Sequence, residues 1–101
     1  MVFSKSYCPY CKITKLLLDS YQNNIDYSVA IIELDEQQQE NINDGQIIQN
    51  ALQDLIGQST VPNVFINGKH IGGNSHVQEL LDSGDLENLL RQAVVDSAQD
   101  L

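Results

Sequence analysis

The sequence has no tryptophan, only two prolines and only two cysteines among its 101 residues. Two cysteines cannot form the framework of several disulfides that holds small secreted domains together. No run of about 18 apolar residues occurs, so the sequence predicts no transmembrane helix. Basic residues are also few: five Lys and Arg stand against 14 Asp and Glu, for a net charge of −9. This charge argues against nucleic acid or an anionic membrane as a partner.

The remaining composition is that of one globular domain. Residues 1–101 are enough for a single domain with one core, and the apolar fraction of 42% is ordinary for such proteins. The absence of a disulfide framework suits a reducing compartment or an oxidoreductase. We expect a cytoplasmic protein.

Both cysteines stand in one motif, Cys8-Pro9-Tyr10-Cys11. One turn of helix would bring their Cα atoms to roughly 5 Å apart, inside the range of about 4.4–6.8 Å that a disulfide requires. An apolar segment at residues 1–4 precedes the motif. An apolar stripe follows it and predicts an amphipathic helix, at Ile13, Leu16, Leu17 and Tyr21. Strand, CxxC motif and helix in this order are typical of a redox-active dithiol.

The two thiols should differ in acidity. If the helix begins at Pro9, a position that proline tolerates, Cys8 is the N-cap residue. Unpaired N–H groups and the helix dipole then stabilise its thiolate and lower its pKa, and Lys5 and Lys12 add positive charge nearby. Cys11, inside the first turn, should be less exposed and suited to resolving a mixed disulfide.

Two other interpretations of the motif are a zinc half-site and a structural disulfide. Zinc would need two more ligands, and the sequence offers only His70 and His76, neither in a suitable spacing. A disulfide across four residues would close too small a loop to stabilise much. We therefore prefer the redox interpretation and predict no metal site.

Three of the five basic residues, Lys5, Lys12 and Lys15, lie within the first 15 positions, where no acid occurs. Such a patch would attract a small anionic substrate to the cysteines. Lys12 and Lys15 are equally well explained as the solvated face of a helix, whereas Lys5 precedes the helix.

The rest of the chain alternates strand and helix patterns. We expect a strand at 28–33, a polar loop at 35–45 and a helix from Asp44 to Ile56 that ends at Gly57. A hairpin at 64–71 should turn at Asn67-Gly68, and the next helix should be capped by Ser75 and end at Gly84. A last helix, capped by Asp85, carries on its apolar face Leu86, Leu89, Leu90, Ala93 and Val94. This order predicts a mixed central sheet with helices on its faces and a parallel first pair of strands.

Three motifs in sequence, Cys8-Pro9-Tyr10-Cys11, Thr60-Val61-Pro62 and Gly72-Gly73-Asn74-Ser75, together resemble the dithiol glutaredoxins over nearly the whole chain. The segments at 4–7 and 67–74 resemble fungal members in particular. The resemblance implies an α/β, thioredoxin-like, three-layer α/β/α fold with a four-stranded mixed sheet, lacking the helix that usually precedes the first strand. It makes residues 1–101 a single glutaredoxin domain. Thioredoxins proper usually carry a Trp before a Gly-Pro dipeptide, and Trp is absent here.

The resemblance also implies a function: a glutathione-dependent thiol–disulfide oxidoreductase, with Cys8 as nucleophile and Cys11 as resolving cysteine. Its expected partners are glutathione, as reductant and co-substrate, and glutathionylated or disulfide-containing proteins, with no nucleic acid or membrane contact and a monomeric state. The residues implied to bind glutathione are Lys5, Tyr10, Gln49, Thr60, Val61, Pro62, Gly73, Asn74 and Ser75.

Within that set, Lys5 and Gln49 would meet the glycyl carboxylate, although Gln49 is equally well explained as an exposed helix residue. A cis Pro62 would present the Val61 backbone to the cysteinyl part of glutathione. The N–H groups at 73–75 would hold the γ-glutamyl carboxylate. His76 stands where many family members place an Asp that contacts the γ-glutamyl amine.

Two alternative functions stay open at the level of sequence. Some glutaredoxins hold a [2Fe–2S] cluster between two subunits, using the first active-site thiolate and glutathione, but more often with Ser or Gly than with Pro after that cysteine. A thioredoxin-like dithiol reduced by a reductase is the other.

Overall fold

The computed structural model describes residues 1–37 and 44–99. The elements follow the order β1 (Val2–Ser4), α1 (Pro9–Tyr21), β2 (Ile31–Glu33), α2 (Leu34–Gln37), α3 (Asp44–Ile56), β3 (Asn63–Ile66), β4 (Lys69–Gly72), α4 (Asn74–Ser83) and α5 (Asp85–Gln99). Within the described ranges, no helix is long and apolar enough to cross a bilayer.

The four strands form one mixed sheet in the order β2-β1-β3-β4. Strands β1 and β2 are parallel, whereas β1 with β3 and β3 with β4 are antiparallel. The β3–β4 hairpin turns at Asn67 and Gly68, whose φ angles of 54° and 77° are the positive values that a tight type I′ turn requires. This is the thioredoxin-like α/β/α arrangement that the sequence predicted, with its parallel first pair.

The larger core lies between the sheet and helices α1, α4 and α5. Alternate strand residues point to this side, and they pack against apolar positions of the three helices; the buried set is Val2, Leu18, Ile25, Val64, Ile66, Val77, Leu86 and Leu90. The opposite face carries Phe3 and Phe65, whose rings meet edge to face at 5.9 Å. Leu34 of α2 and Leu52 of α3 are also buried.

The second strand and the segment after it differ from the prediction. The strand covers residues 31–33 rather than 28–33, because β1 is three residues long and offers partners only to Ile31, Ile32 and Glu33. Residues 35–37 belong to α2 (Leu34–Gln37) rather than to a loop, whereas α3 runs from Asp44 to Ile56, as predicted. The rest of the predicted loop, residues 38–43, lies outside the described residues.

Helix α1 buries only part of the face that its apolar pattern predicted: Leu17 and Tyr21 pack against the core, but Ile13 and Leu16 do not. Its buried residues are Cys11, Thr14 and Leu18, while Ile13 and Leu16 are 47% and 69% exposed. The polar Thr14 tolerates burial because its Oγ1 donates a hydrogen bond to Asn74 Oδ1 at 2.9 Å. This rotation of the helix places Cys11 against the sheet.

Helix ends agree with the sequence at their C-termini but not at two N-termini. Gly57 follows α3 and Gly84 ends α4, with φ angles of 71° and 84°, as expected of left-handed C-terminal glycines. Ser75 was predicted to cap α4, but the N-cap is Gly73, which places Ser75 in the first turn. Asp85 is the first residue of α5 rather than its cap, and its N–H meets Ser83 Oγ at 3.4 Å.

Candidate active site

The two cysteines lie where β1 leads into α1. Cys8 is the N-cap residue, with extended backbone, and its Sγ accepts a hydrogen bond from the Cys11 N–H at 3.4 Å. The Cys8 N–H donates in turn to the Lys5 carbonyl at 3.0 Å, which fixes the bend between strand and helix. Both cysteines are free thiols; Cys8 is partly exposed and Cys11 is buried. An incoming disulfide therefore meets Cys8 first.

Cys8 is the more acidic thiol. Partial burial raises its pKa. Hydrogen bonds from the Cys11 thiol and from the N–H groups of Cys11 and Tyr10, together with the charge of Lys15, lower the pKa by more than burial raises it. The net pKa of Cys8 lies below the ordinary value for cysteine. The sequence predicted this direction but assigned the nearby charge to Lys5 and Lys12, whereas the contributing lysine is Lys15.

Cys11 shifts in the opposite direction. Burial raises the pKa of its thiol and the hydrogen bond to Cys8 raises it further, while the Lys5 backbone and the Ser4 side chain lower it by less. Cys11 therefore stays protonated at a pH where Cys8 is already a thiolate.

The two opposite shifts predict a two-step alkylation profile. The rate of iodoacetamide modification at Cys8 should rise at a pH below the ordinary cysteine pKa of about 8.5, and the rate at Cys11 only above it. Mass spectrometry of the reduced protein, quenched at intervals between pH 4 and 10, measures both. If the two alkylation rates rose at the same pH, the geometry of the site would be contradicted. The same protein unfolded in urea supplies the reference curve for cysteines without a folded environment.

The loop before β3 forms the opposite wall of the site. The Val61–Pro62 peptide bond is cis, and Cys8 Sγ lies 4.0 Å from the Val61 carbonyl oxygen. Gln58 supports this loop from behind, since its Nε2 donates to the carbonyls of Thr60 and Pro62 at 3.3 and 3.2 Å. The backbone of Val61 is thus held beside the reactive sulfur.

Gln58 is a residue that sequence reasoning missed. It is anchored by the buried Asn63, whose Nδ2 donates to the Gln58 carbonyl at 3.1 Å. Asn63 Oδ1 meets His70 Nε2 at 2.9 Å. A Gln and an Asn on either side of a Val-Pro pair are a weak sequence signal, because neither residue type is unusual next to a turn.

The N-terminus of α4 closes a third side. Gly73, the N-cap, lies against the cis-proline loop, since a Cβ there would be 3.5 Å from the Pro62 oxygen. Gly73 has no side chain to occupy the first N–H groups of the helix, which lack intrahelical partners. Asn74 is turned toward α1 by its bond to Thr14, whereas Ser75 is exposed.

The three lysines near the cysteines do not act as one patch. Lys15 Nζ is 2.6 Å from Glu33 Oε1 and forms an ion pair with it. Lys12 is exposed on α1. Lys5 is half-buried in the loop before Cys8, and that loop is held by Asp35, whose Oδ1 accepts from the Ser6 N–H at 3.0 Å.

The comparisons with known proteins agree on one family. The glutaredoxin family model matches residues 1–71. The chain belongs to the glutaredoxin family. It is 46% identical over 90 residues to glutaredoxin-C4 of Arabidopsis thaliana, covering 89% of this chain and 60% of that protein. It is 44% identical over 89 residues to glutaredoxin-1 of Saccharomyces cerevisiae, covering 88% of this chain and 76% of the yeast protein.

Solved structures give the same result. The crystal structure of a buckwheat glutaredoxin–glutathione complex superposes with a TM-score of 0.78 at 44% identity, covering 91% of this chain and 76% of that one. The holo form of glutaredoxin C1 from Populus tremula x tremuloides has a TM-score of 0.78 at 43% identity, covering 91% of this chain and 82% of the poplar one. Glutaredoxins are glutathione-dependent thiol–disulfide oxidoreductases, and this is the enzyme class of the chain.

In this glutaredoxin several of the predicted site residues lie close to Cys8. The Cys11 N–H and the Val61 carbonyl lie at the Cys8 sulfur, at 3.4 and 4.0 Å, and Gly73 lies next to them against the Pro62 carbonyl. Tyr10 is 63% exposed beside them. The side chain of Gln49 is partly buried, and its Nε2 donates a hydrogen bond to the Ser59 carbonyl at 2.9 Å. This bond supports the loop next to Thr60. Roles toward glutathione for these residues stay predictions.

Proposed function

We propose that this glutaredoxin reduces glutathione mixed disulfides and protein disulfides, with glutathione as the electron donor and Cys8 as the attacking thiolate. The observation that carries the proposal is the position of Cys8: it caps α1, has a lowered pKa, and lies 4.0 Å from the carbonyl of Val61 on the cis-proline loop. A nucleophilic sulfur is thereby placed beside backbone groups that can hold an extended peptide.

The first reaction needs only Cys8. Its thiolate attacks the glutathione sulfur of a protein–glutathione disulfide, the protein thiol leaves with the electron pair, and glutathione is now bound to Cys8. A second glutathione, as thiolate, attacks its counterpart and releases oxidised glutathione. Cys8 leaves as a thiolate again, which its lowered pKa favours because a more acidic thiol is a better leaving group.

The surroundings of Cys8 fit a bound glutathione. The N–H and C=O of Val61 can pair with the cysteinyl residue as an added strand does. The first N–H groups of α4 can bind the γ-glutamyl carboxylate of glutathione. Lys5 can bind the glycyl carboxylate at the other end of the tripeptide. The buckwheat relative, whose structure is a glutathione complex, supports glutathione as the bound molecule.

For protein disulfides we propose that Cys11 completes the reaction. Cys8 forms a mixed disulfide with the substrate, and the Cys11 sulfur, buried directly beneath, then displaces the substrate thiol. The raised pKa of Cys11 keeps it protonated until that step, so a mixed disulfide persists long enough for glutathione to compete for it.

The deciding experiment is a glutathione-coupled assay. A glutathionylated peptide and a peptide disulfide should both be reduced with glutathione, glutathione reductase and NADPH, whereas thioredoxin reductase should not replace glutathione. A turnover supported only by thioredoxin reductase would favour the thioredoxin-like alternative. A brown protein absorbing in the visible region would favour the cluster-binding one.

The same proposal extends to the state and the location of the protein. We propose a monomer in the cytoplasm, where glutathione keeps such dithiols reduced. Sedimentation of the reduced protein tests the first point. Fluorescence imaging of the whole gene product in its own cell tests the second.

Removing the Lys5 charge should weaken glutathione binding modestly. Lys5→Ala should raise the KM for glutathione by a few fold at low ionic strength, because an exposed ion pair is worth only ~0.2–1 kcal/mol. The increase should shrink as salt is added. Lys12→Ala removes an equal charge from the exposed face of α1 and is the matched control. If both variants raise KM equally, the effect is general attraction rather than a contact of Lys5.

A further inference from the structure

One glutamine side chain holds the backbone on both sides of Val61. Gln58 is half-buried behind the loop, and its amide nitrogen, Nε2, donates to the carbonyls of Thr60 and Pro62 at 3.3 and 3.2 Å. The carbonyl of Val61 lies instead 4.0 Å from Cys8 Sγ. The two carbonyls that flank Val61 therefore face Gln58, whereas the Val61 carbonyl faces the reactive sulfur.

The bond to Thr60 also sets the direction of the Val61 N–H. The cis bond follows Val61, and the peptide that joins Thr60 to Val61 is trans. In a planar trans peptide the C=O and the N–H of the same unit point in opposite directions. Because Gln58 holds the Thr60 carbonyl, the Val61 N–H points away from Gln58. One side chain thus fixes both backbone groups of Val61 by binding its two neighbours.

Two side chains of the sheet hold Gln58 in turn. Asn63 of β3 is fully buried, and its Nδ2 donates to the Gln58 carbonyl at 3.1 Å. Its Oδ1 meets Nε2 of His70 on β4 at 2.9 Å, and the His70 ring packs against Phe65 with centroids 5.1 Å apart. Since Oδ1 can only accept, His70 donates this bond and fixes which end of the Asn63 amide faces Gln58. The position of Gln58 therefore depends on strands β3 and β4 as well as on the loop.

We propose that Gln58 is a positioning residue for glutathione, because it aims the N–H and C=O of Val61 at the cysteinyl residue of the tripeptide. Asn63 and His70 act through Gln58. This inference rests on the proposed function, in which glutathione pairs with Val61 as an added strand does. Binding to a backbone that is already ordered loses less conformational freedom than binding to one that must first be ordered. Gln58 should therefore favour glutathione over thiols that have no peptide backbone.

The test compares two disulfides, of which only one carries a peptide. The variants are made in Cys11→Ser protein, where an adduct on Cys8 cannot be displaced by the second cysteine. Reduced protein is mixed with oxidised glutathione or with 2-hydroxyethyl disulfide and quenched with acid, and mass spectrometry measures the adduct. The chemistry is the same in both reactions. The Cys8 thiolate bonds to one sulfur of the disulfide, and the other sulfur leaves as a thiolate with the electron pair.

Gln58→Met keeps the length of the side chain, adds no charge and has no hydrogen-bond donor. Adduct formation with oxidised glutathione should fall by about 5–30-fold, the net worth of one or two hydrogen bonds. The rate with 2-hydroxyethyl disulfide should stay close to that of the parent protein, because this disulfide has no backbone to pair with Val61. Gln92→Met is the matched control. It removes an exposed amide on α5 that donates to Asp96 at 2.9 Å, and it should change neither rate.

His70→Phe tests whether the sheet acts through Gln58. It keeps an aromatic ring beside Phe65 but removes the bond to Asn63. It should lower the glutathione rate selectively, by less than Gln58→Met does, and add little to that variant, because both act on one loop. Equal slowing of both disulfides in Gln58→Met, no slowing, or a fully additive effect of His70→Phe overturns the proposal. If the parent protein reacts no faster with oxidised glutathione than with 2-hydroxyethyl disulfide, the proposed function itself has failed.

Discussion

Cys8→Ser should abolish reduction of both glutathionylated and disulfide substrates, by at least ~10³-fold, because a serine hydroxyl stays protonated at neutral pH and forms no disulfide. The environment that lowers the Cys8 pKa, hydrogen bonds from the Cys11 thiol and from the N–H groups of Cys11 and Tyr10, acts on a thiol that can ionise and has little effect on a hydroxyl. Initial rates in the glutathione-coupled assay, with a glutathionylated peptide and a peptide disulfide side by side, measure the loss.

Cys11→Ser is the matched control for that loss. It removes the buried thiol but leaves the N-cap position, the N–H groups and the cis-proline loop in place. Reduction of the glutathionylated peptide should therefore persist within a few fold of wild type, while the Cys8–Cys11 disulfide can no longer form. Equal loss of deglutathionylation in the two single variants would contradict a reaction carried by Cys8 alone.

The contrast between the two cysteines shows what the sequence could reveal. Pro9 is compatible with the first turn of a helix and excludes most positions inside one, so the motif itself predicted that Cys8 is the N-cap. The acidity of Cys8 follows from local backbone groups, within four residues of it. Both points were readable because they depend on near neighbours in sequence.

The source of the nearby positive charge was not readable. The sequence favoured Lys5 and Lys12, which are close to Cys8 along the chain, but the lysine that lowers the Cys8 pKa is Lys15, further along α1. The hydrogen bond from Ser4 Oγ to Glu33 Oε2, 2.8 Å long, could not be predicted either. A Ser after a Phe and a Glu at the end of a strand carry no signal until the pairing of β1 with β2 brings them together.

The orientation of α1 and the start of α4 were mispredicted together. Periodicity placed Ile13 and Leu16 inside, and a Ser at a favourable spacing placed the cap at residue 75. The bond between Thr14 and Asn74 couples the two helices: Thr14 is turned inward, and α4 begins at Asn74 with Gly73 as its N-cap. A side-chain bond between residues 60 positions apart outweighs local pattern here, and single-sequence reasoning has no access to it.

Gly72→Ala should be the most destabilising small substitution near the site. Gly72 has φ +126°, and a Cβ there would lie 2.6 Å from Nδ1 and 2.9 Å from Cγ of the His76 ring. The strained backbone costs about 1–3 kcal/mol, and the ring must leave its place over residue 72. With about 4–8 °C of Tm per kcal/mol for a domain of this size, thermal unfolding followed by circular dichroism measures the loss. The KM for glutathione should also rise, since the neighbouring Gly73 is the N-cap of α4, where we propose that glutathione binds.

Gly68→Ala is the control that separates backbone strain from the clash. Gly68 also has a positive φ, +77°, but a Cβ there meets nothing within 4 Å, so the expected cost is about 1 kcal/mol from the left-handed backbone alone. Adding His76→Ala to Gly72→Ala should recover the part of the loss that the ring causes and leave the part due to φ. A Gly72→Ala protein no less stable than Gly68→Ala would show that the ring of His76 does not lie against residue 72 in solution.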